Sequence, residues 1–149
     1  MLFLGLYEYA MDERGRVPMP PRFRDDLVRG VVLTQGSPDR CVRGFSTDEF
    51  EKQAGLYLAE PSVGRQGRIV RRALFARAYS AELDRAGRVL IPPPLRRWAN
   101  LEGQVVVVGI GEGFEIWNAA DFDRTIDDEA DEFTQALESL ARLRLPGSE

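Results

Sequence analysis

The strongest constraint on this chain is an internal repeat, because a duplicated unit is expected to fold in the same way twice. Residues 12–17 read Asp-Glu-Arg-Gly-Arg-Val, and 72 residues later residues 84–89 read Asp-Arg-Ala-Gly-Arg-Val. The match continues from residues 19–21 (Met-Pro-Pro) to residues 91–93 (Ile-Pro-Pro), and from Arg24 to Arg96. Two copies of one plan in one chain predict a unit with pseudo-twofold symmetry.

Local signals predict the same order of elements in each repeat: strand, tight turn, strand, prolines, short helix, strand, turn, strand and helix. Residues 4–11 and 79–83 contain the aromatic residues typical of strands. Prolines at 20–21 and 92–94 end the next strand and favour a helix start, which predicts short helices at 22–28 and 95–100. The four valines at 105–108 indicate a buried strand.

Longer helices are predicted at the end of each repeat and between the repeats. Ser46 and Glu49 have the spacing of a capping box, and residues 119–143 carry one apolar stripe opposite an acidic face. We therefore predict four segments: a first repeat at 1–62, an arginine-rich connecting helix at 63–78, a second repeat with an acidic C-terminal helix at 79–143, and a frayed tail at 144–149.

Charge is unevenly distributed along the chain, whose net charge is −4. Residues 1–112 contain 17 basic and 14 acidic residues, a net charge of about +3, whereas residues 113–149 contain three basic and 10 acidic residues, about −7. Every basic residue except Lys52 is arginine. Arginine's planar fork suits phosphate and guanine, although a GC-rich genome that favours arginine codons explains the same bias equally well.

Composition also excludes several kinds of chemistry. The chain has no histidine and one cysteine, Cys41, so histidine-based catalytic triads, histidine zinc sites and an internal disulfide cannot form. The glycines at 109, 111 and 113 are interpreted as a turn, because no phosphate-binding helix start follows them. We expect no enzyme activity, no cofactor, no metal and no small-molecule substrate. Without a signal peptide or an apolar stretch of membrane length, a soluble, cytoplasmic protein is predicted.

The repeated motif that carries chemistry is an Asp-x-x-x-Arg sequence at a hairpin tip. Gly15 and Gly87 stand where a tight tip needs a positive φ. Asp12 and Asp84 precede Arg16 and Arg88 by four residues, so each carboxylate could accept a fork from its arginine or bond the N–H groups of the turn. Together with Arg14 and Arg85, these arginines form a basic projection suited to a DNA groove. For one copy alone, an ordinary surface turn is the simpler reading.

These motifs, each leading into a proline-marked short helix, resemble the paired Asp-x-x-x-Arg motifs of the MraZ family of bacterial transcriptional regulators. Residues 3–7, residues 114–117 and the acidic C-terminal helix fit the same pattern. The resemblance implies an α+β, mainly β fold: an AbrB-like swapped-hairpin (double-split) β-barrel formed by two intrachain repeats, with flanking helices.

The resemblance also implies a function. A protein of this family would be nucleoid-associated, would form a ring-shaped homo-oligomer, and would bind double-stranded DNA at short direct repeats upstream of the division and cell-wall gene cluster, usually as a repressor. By position, Arg14, Arg16, Arg85 and Arg88 would contact DNA, and Asp12 and Asp84 would orient them.

Several alternatives remain open at this point. The runner-up function is a protein-interaction module, because the same superfamily includes antitoxins whose tails cover a toxin, and an enzyme using paired carboxylates is a distant third. The arginines between residues 65 and 77 are a second DNA surface or, more simply, a solvated face. Trp98 and Trp117 are interpreted as core or interface anchors, and the acidic run at 127–132 as a solvated helix face.

Overall fold

A computed structural model describes residues 2–59 and 64–143 of the chain. The described residues fall into two compact units divided after Ala119. The first unit holds all the strands and the first four helices. The second holds the acidic C-terminal helices. The tail predicted to fray, at 144–149, lies outside the described residues.

The described residues form eight strands and six α-helices. The strands are β1 (Leu6–Ala10), β2 (Arg16–Pro18), β3 (Val31–Gln35), β4 (Val42–Ser46), β5 (Ala78–Ala81), β6 (Arg88–Leu90), β7 (Gln104–Gly109) and β8 (Phe114–Asn118). The helices are α1 (Pro21–Arg24), α2 (Thr47–Leu58), α3 (Arg65–Phe75), α4 (Pro93–Trp98), α5 (Ala119–Glu129) and α6 (Phe133–Leu143). Two 3-10 turns, Asp25–Leu27 and Ala130–Glu132, follow α1 and α5.

The prediction of an α+β fold of mostly antiparallel strands with flanking helices is confirmed. Six strands form one antiparallel sheet in the order β1-β7-β8-β4-β3-β5, and β2 pairs with β6 in a second, two-stranded ladder. Within the described strands, β1 and β5 form the two ends of the large sheet and do not pair with each other. The sheet is therefore open, unlike the closed barrel that the family resemblance implies.

Strand pairing interleaves the two repeats. The first strand of each repeat pairs with a strand of the other repeat. Strand β1 pairs with β7, with Tyr7 opposite Val107. Strand β5 pairs with β3, with Tyr79 opposite Leu33. The short strands β2 and β6 pair with each other around Val17 and Val89. The two predicted hairpins consequently differ from expectation, because each tip joins strands that belong to different sheets.

The core draws on matching positions of the two repeats. Four pairs of residues 72 positions apart are all buried: Val17 with Val89, Met19 with Ile91, Phe23 with Leu95, and Leu27 with Ala99. Apolar burial is the main stabilising contribution to such a core. Because each repeat supplies half of it, the repeats depend on one another for their stability.

Most of the predicted helices and strands are confirmed, with one correction at the C-terminal helix. The Ser46 Oγ accepts a hydrogen bond of 3.1 Å from the backbone N–H of Glu49, as a helix cap does. The single helix predicted at 119–143 is wrong, because the 3-10 turn Ala130–Glu132 separates α5 from α6. Like charges lie three and four residues apart through this turn, as in Asp127 and Asp131, and such pairs disfavour a continuous α-helix.

Burial of the two tryptophan side chains agrees with their predicted role as core or interface anchors. Trp117 is buried, and Trp98 is partly buried with the guanidinium of Arg40 stacked 3.9 Å above its ring. Cys41 is buried, and burial raises the pKa of its thiol. Across residues 2–59 and 64–143, none of the helices combines the length and apolar character required to cross a lipid bilayer.

Candidate nucleic-acid interface

The first arginine-bearing turn, residues 12–16 (loop 1), is organised around the carboxylate of Asp12. Its Oδ1 accepts hydrogen bonds of 2.9 Å from the backbone N–H groups of Arg14 and Arg16, and its Oδ2 accepts one of 2.6 Å from Nε of Arg16. A backbone bond of 3.0 Å from Asp12 N to Arg16 O closes the loop. The carboxylate therefore binds both the turn N–H groups and the arginine, which combines the two roles that the spacing allowed.

The second turn, residues 84–88 (loop 2), repeats this arrangement. Oδ1 of Asp84 accepts from the backbone N–H groups of Ala86 and Arg88 at 2.9 Å, and Oδ2 accepts from Nε of Arg88 at 2.9 Å. Charge-assisted bonds of this kind are among the stronger ones in proteins. Each loop thus holds one guanidinium in a defined direction.

Electrostatics keep both carboxylates ionised. The backbone N–H of Arg16 is the main reason that the pKa of Asp12 lies below its usual value, and the guanidinium of Arg16 lowers this pKa further. The backbone N–H of Arg88 and its guanidinium lower the pKa of Asp84 in the same way. Bonds to the charged form of a carboxyl stabilise that form, so the loops keep these ion pairs at neutral pH.

The loop glycines have the predicted positive φ, +87° at Gly15 and +76° at Gly87. Both glycines are buried, and each carbonyl accepts a hydrogen bond of 2.9 Å from the other repeat: Met19 N donates to Gly87 O, and Ile91 N donates to Gly15 O. A glycine is needed because L-residues strongly disfavour this backbone region. These cross-repeat bonds fix the position of each loop relative to the other.

All of the candidate residues lie in two neighbouring loops. Nη1 of Arg88 lies 3.6 Å from Oδ2 of Asp12, which links loop 2 to loop 1 directly. Arg16 and Arg88 are partly buried, whereas Arg14 and Arg85 are exposed. The exposed pair does not occupy matching positions, because Ala86 is the counterpart of Arg14. The two neighbouring loops therefore carry two arginines oriented by carboxylates and two exposed arginines.

Two further arginines contact the loops, and sequence reasoning did not assign them a role. A Cβ built on Gly15 would lie 2.6 Å from Cζ of Arg96, and one built on Gly87 would lie 2.5 Å from Cζ of Arg24. Each guanidinium therefore packs against the loop of the other repeat. Their match at the repeat spacing of 72 residues was the signal that could have identified them.

No candidate metal-binding site is found in the part of the chain that the structure describes. Those residues contain no group of three or more histidine, cysteine, aspartate or glutamate side chains placed to hold a metal ion. The described site consists of arginines, their carboxylate partners and glycine turns.

The fold and the site define a class: an α+β protein of two interleaved repeats, each presenting a rigid arginine-bearing loop. Comparison with known proteins identifies the family. The profile described as "MraZ protein, putative antitoxin-like" matches residues 2–70 and 74–143. The chain belongs to the MraZ family.

Several curated relatives of the chain are named transcriptional regulator MraZ. The transcriptional regulator MraZ of Roseiflexus castenholzii is 40% identical over 142 residues, which cover 93% of this chain and 99% of the relative. The proteins of the same name from Salinispora tropica and Mycoplasmoides gallisepticum are 36% and 32% identical, and the matches cover 98% and 93% of this chain and 99% and 97% of those relatives. The relatives are named for transcriptional regulation and not for a reaction.

Proposed function

We propose that this chain is a sequence-specific DNA-binding transcriptional regulator that contacts DNA through loops 1 and 2. The observation that carries the proposal is the pair of adjacent loops in which Asp12 and Asp84 hold Arg16 and Arg88 in fixed directions. A preformed arginine loses less conformational entropy on binding than a mobile one does. The relatives named transcriptional regulators support the same function.

We propose that the exposed and the carboxylate-bound loop arginines make different kinds of contact with DNA. Arg14 and Arg85 are exposed, so their long side chains can reach base edges in the major groove. Arg16 and Arg88 are bound to carboxylates at Nε, and Nη1 of Arg88 also lies 3.6 Å from Asp12. The terminal N–H groups of Arg16 and Nη2 of Arg88 are proposed to contact phosphate or guanine. Phosphate contacts supply affinity, and base contacts supply the reading of sequence.

The finer fold assignment is also part of the proposal. Exchange of β1 and β5 between the repeats, together with the β2–β6 ladder, supports an interlocked arrangement of the AbrB-like swapped-hairpin type. The repeats are taken as residues 1–62 and 79–143, joined by a connecting segment at 63–78 that contains α3. In this arrangement, neither repeat can present its loop without the other.

We propose that the chain self-associates into a ring, so that the loops of several subunits bind a set of short direct DNA repeats together. Large apolar side chains are exposed on three helices: Leu56 on α2, Ile69 and Val70 on α3, and Phe133 and Leu137 on α6. Exposed apolar groups of this kind favour protein contacts. A head-to-tail ring presents every loop in the same sense, and repeats about 10 bp apart would then meet successive subunits on one face of the DNA.

The proposed target is the DNA upstream of the division and cell-wall gene cluster, where the protein would act as a repressor and associate with the nucleoid. The decisive experiment is a gel-shift titration of that DNA with the parent protein and with the Arg16→Ala/Arg88→Ala variant. We expect the variant to lose specific binding and to elute at the parent's position in size-exclusion chromatography. An Arg22→Ala/Arg97→Ala variant, which removes two exposed arginines elsewhere, serves as the matched control. Equal operator affinity of the loop variant and the parent would disprove the role of these loops.

A second candidate function, a protein-interaction module, is favoured by the exposed apolar residues of α6, including Leu137 and Leu140, and by the antitoxin-like description of the family. The same gel shift separates the two functions. A partner-covering module without a DNA role would show no preference for the operator over a scrambled duplex.

A further inference from the structure

The loops by themselves carry little net positive charge. Loop 1 contains two acidic and two basic residues and is neutral, whereas loop 2 contains one acidic and two basic residues, a net charge of +1. A surface that binds the DNA backbone gains affinity from cationic side chains that neutralise phosphates. Additional positive charge must therefore come from residues beside the loops.

Arg24 and Arg96 are placed to supply it. Each lies on a short helix of one repeat and packs against the loop glycine of the other, Gly87 and Gly15 respectively. Among the described residues, neither guanidinium has a carboxylate oxygen within the 4.0 Å of an ion pair, in contrast to Arg16 and Arg88. Neither charge is therefore engaged in a direct ion pair within the described residues.

Hydrogen bonding leaves both guanidinium groups with donors to spare. Nε of Arg24 donates to the carbonyl of Met19 at 3.0 Å, which fixes its direction. Nε of Arg96 is buried and has no hydrogen-bond partner in the described part of the chain. A guanidinium has five N–H donors in a planar fork that matches two phosphate oxygens, so the terminal N–H groups of each side chain can donate to a phosphate.

The space beside loop 2 has room for such a group. An open cavity of about 380 Å³ beside loop 2 is lined by Arg24, Asp84, Arg85 and Gly87, together with Glu82 and Leu83. Arg24 packs against the buried Gly87, and Arg85 is exposed. A phosphate between these two arginines would sit next to the loop and not at its tip.

We propose that Arg24 and Arg96 are phosphate-binding residues of the DNA interface, each serving the loop of the opposite repeat. This inference rests on the proposed function. Their recessed position against the loop glycines directs them to the DNA backbone, whereas the exposed loop arginines reach the bases. Each loop thus has one such arginine, here called its phosphate clamp, which lies there because the short helix of one repeat packs against the loop of the other.

The test uses the full chain with Arg24→Gln, Arg96→Gln and the double substitution, titrated with operator and scrambled duplexes from about 50 to 200 mM salt. Arg22→Gln and Arg97→Gln are the matched controls, because they remove exposed arginines from the same two helices. Each clamp variant should reduce the steepness of log K against log salt by about 0.9. It should also weaken operator and scrambled binding by the same factor.

Lysine substitutions separate a charge role from a packing role. Arg24→Lys and Arg96→Lys keep the charge and should keep the parent's salt slope, whereas a purely structural role predicts that lysine and glutamine variants behave alike. Arg96→Gln removes no hydrogen bond found among the described residues, so this variant alone decides the matter if Arg24→Gln does not fold. A slope for Arg96→Gln equal to that of Arg97→Gln would overturn the clamp proposal. If the parent itself shows no operator preference, the proposed function fails instead.

Discussion

Arg88 of the second repeat reaches across to Asp12 of the first, with 3.6 Å between its Nη1 and the carboxylate Oδ2. The same arginine binds Asp84 in its own loop through Nε at 2.9 Å. Asp12 thereby interacts with Arg16 and Arg88 together. One guanidinium that bridges two carboxylates couples the orientation of loop 1 to that of loop 2, and a change in either aspartate is expected to affect both loops.

Neutralising the two loop carboxylates should lower stability at neutral pH and have no effect in strong acid. The pKa of Asp12 and of Asp84 lies below the ordinary 3.8 because backbone N–H groups and arginines bind the charged form. A lowered folded-state pKa adds stability above the unfolded-state pKa, and this contribution disappears as the pH falls through the folded-state value. The thermal midpoint of Asp12→Asn/Asp84→Asn should therefore lie below the parent's from pH 7 to about 5, and the gap should close below about pH 3.8.

The exposed Glu13 in loop 1 provides the control for this comparison, since Glu13→Gln removes a charge without removing these hydrogen bonds. Its midpoint should follow the parent's at every pH. A gap between the double variant and the parent that stays constant down to pH 2 would rule out the carboxylate charge as its source.

Alanine at the loop glycines should destabilise the fold more than alanine at a comparable open turn. At Gly15 the positive φ costs roughly 1–2 kcal/mol, and the new Cβ also meets the guanidinium of Arg96 at 2.6 Å. Gly111 has a similar φ of +94°, but a Cβ there meets nothing within 4 Å. In urea unfolding, Gly111→Ala should lower the free energy of unfolding by the backbone penalty alone. Gly15→Ala should lower it by that penalty plus the cost of moving the Arg96 guanidinium away from the loop. Equal losses for the two variants would show that Arg96 does not pack tightly against the loop.

Alanine at Gly44 should disrupt the centre of the sheet. Gly44 of β4 lies opposite Phe114 of β8, and an added Cβ would overlap the buried Phe114 ring. Overpacking of this kind typically costs about 1–3 kcal/mol. Gly55→Ala on α2 is the matched control, because nothing lies within 4 Å of its Cβ position and alanine stabilises a helix by roughly 0.5–1 kcal/mol relative to glycine. In urea unfolding, Gly44→Ala should lower the free energy of unfolding and Gly55→Ala should raise it. An unchanged free energy of unfolding for Gly44→Ala would contradict the close approach of the Phe114 ring to Gly44.

The Cys41 thiol should resist alkylation in the folded protein. Its side chain is buried, its Sγ lies 3.7 Å from Oε2 of Glu115, and burial raises the pKa of the thiol. Because the thiolate is the reactive species, iodoacetamide at pH 8 should label the chain in denaturant and leave the native protein unmodified by mass spectrometry. Rapid labelling without denaturant would mean that the connection between β3 and β4, which contains Cys41, opens easily in the folded protein.

Several features of the structure could be predicted from the amino-acid sequence because they depend on local spacing. The carboxylate of Asp12 reaches the N–H groups of Arg14 and Arg16 within a single turn, and the positive φ of Gly15 belongs to that same turn. The cap at Ser46 spans three residues. Helix prediction failed at Ala130–Glu132, where a 3-10 turn interrupts the apolar stripe, and the short helix predicted at 22–28 likewise changes to a 3-10 turn at Asp25–Leu27.

The sequence by itself determined that one unit occurs twice and that each copy carries a carboxylate-bound arginine turn, because these are properties of short segments. Only the tertiary structure decided that β1 pairs with β7 and β5 with β3, that the sheet stays open, and that Arg24 and Arg96 pack on the loops of the opposite repeats. The alternation of residues in a strand specifies which face is buried but not which distant strand becomes its neighbour. That choice follows from joint burial of matching core residues such as Val17 and Val89, and a shared core of this kind forms only when both repeats fold together.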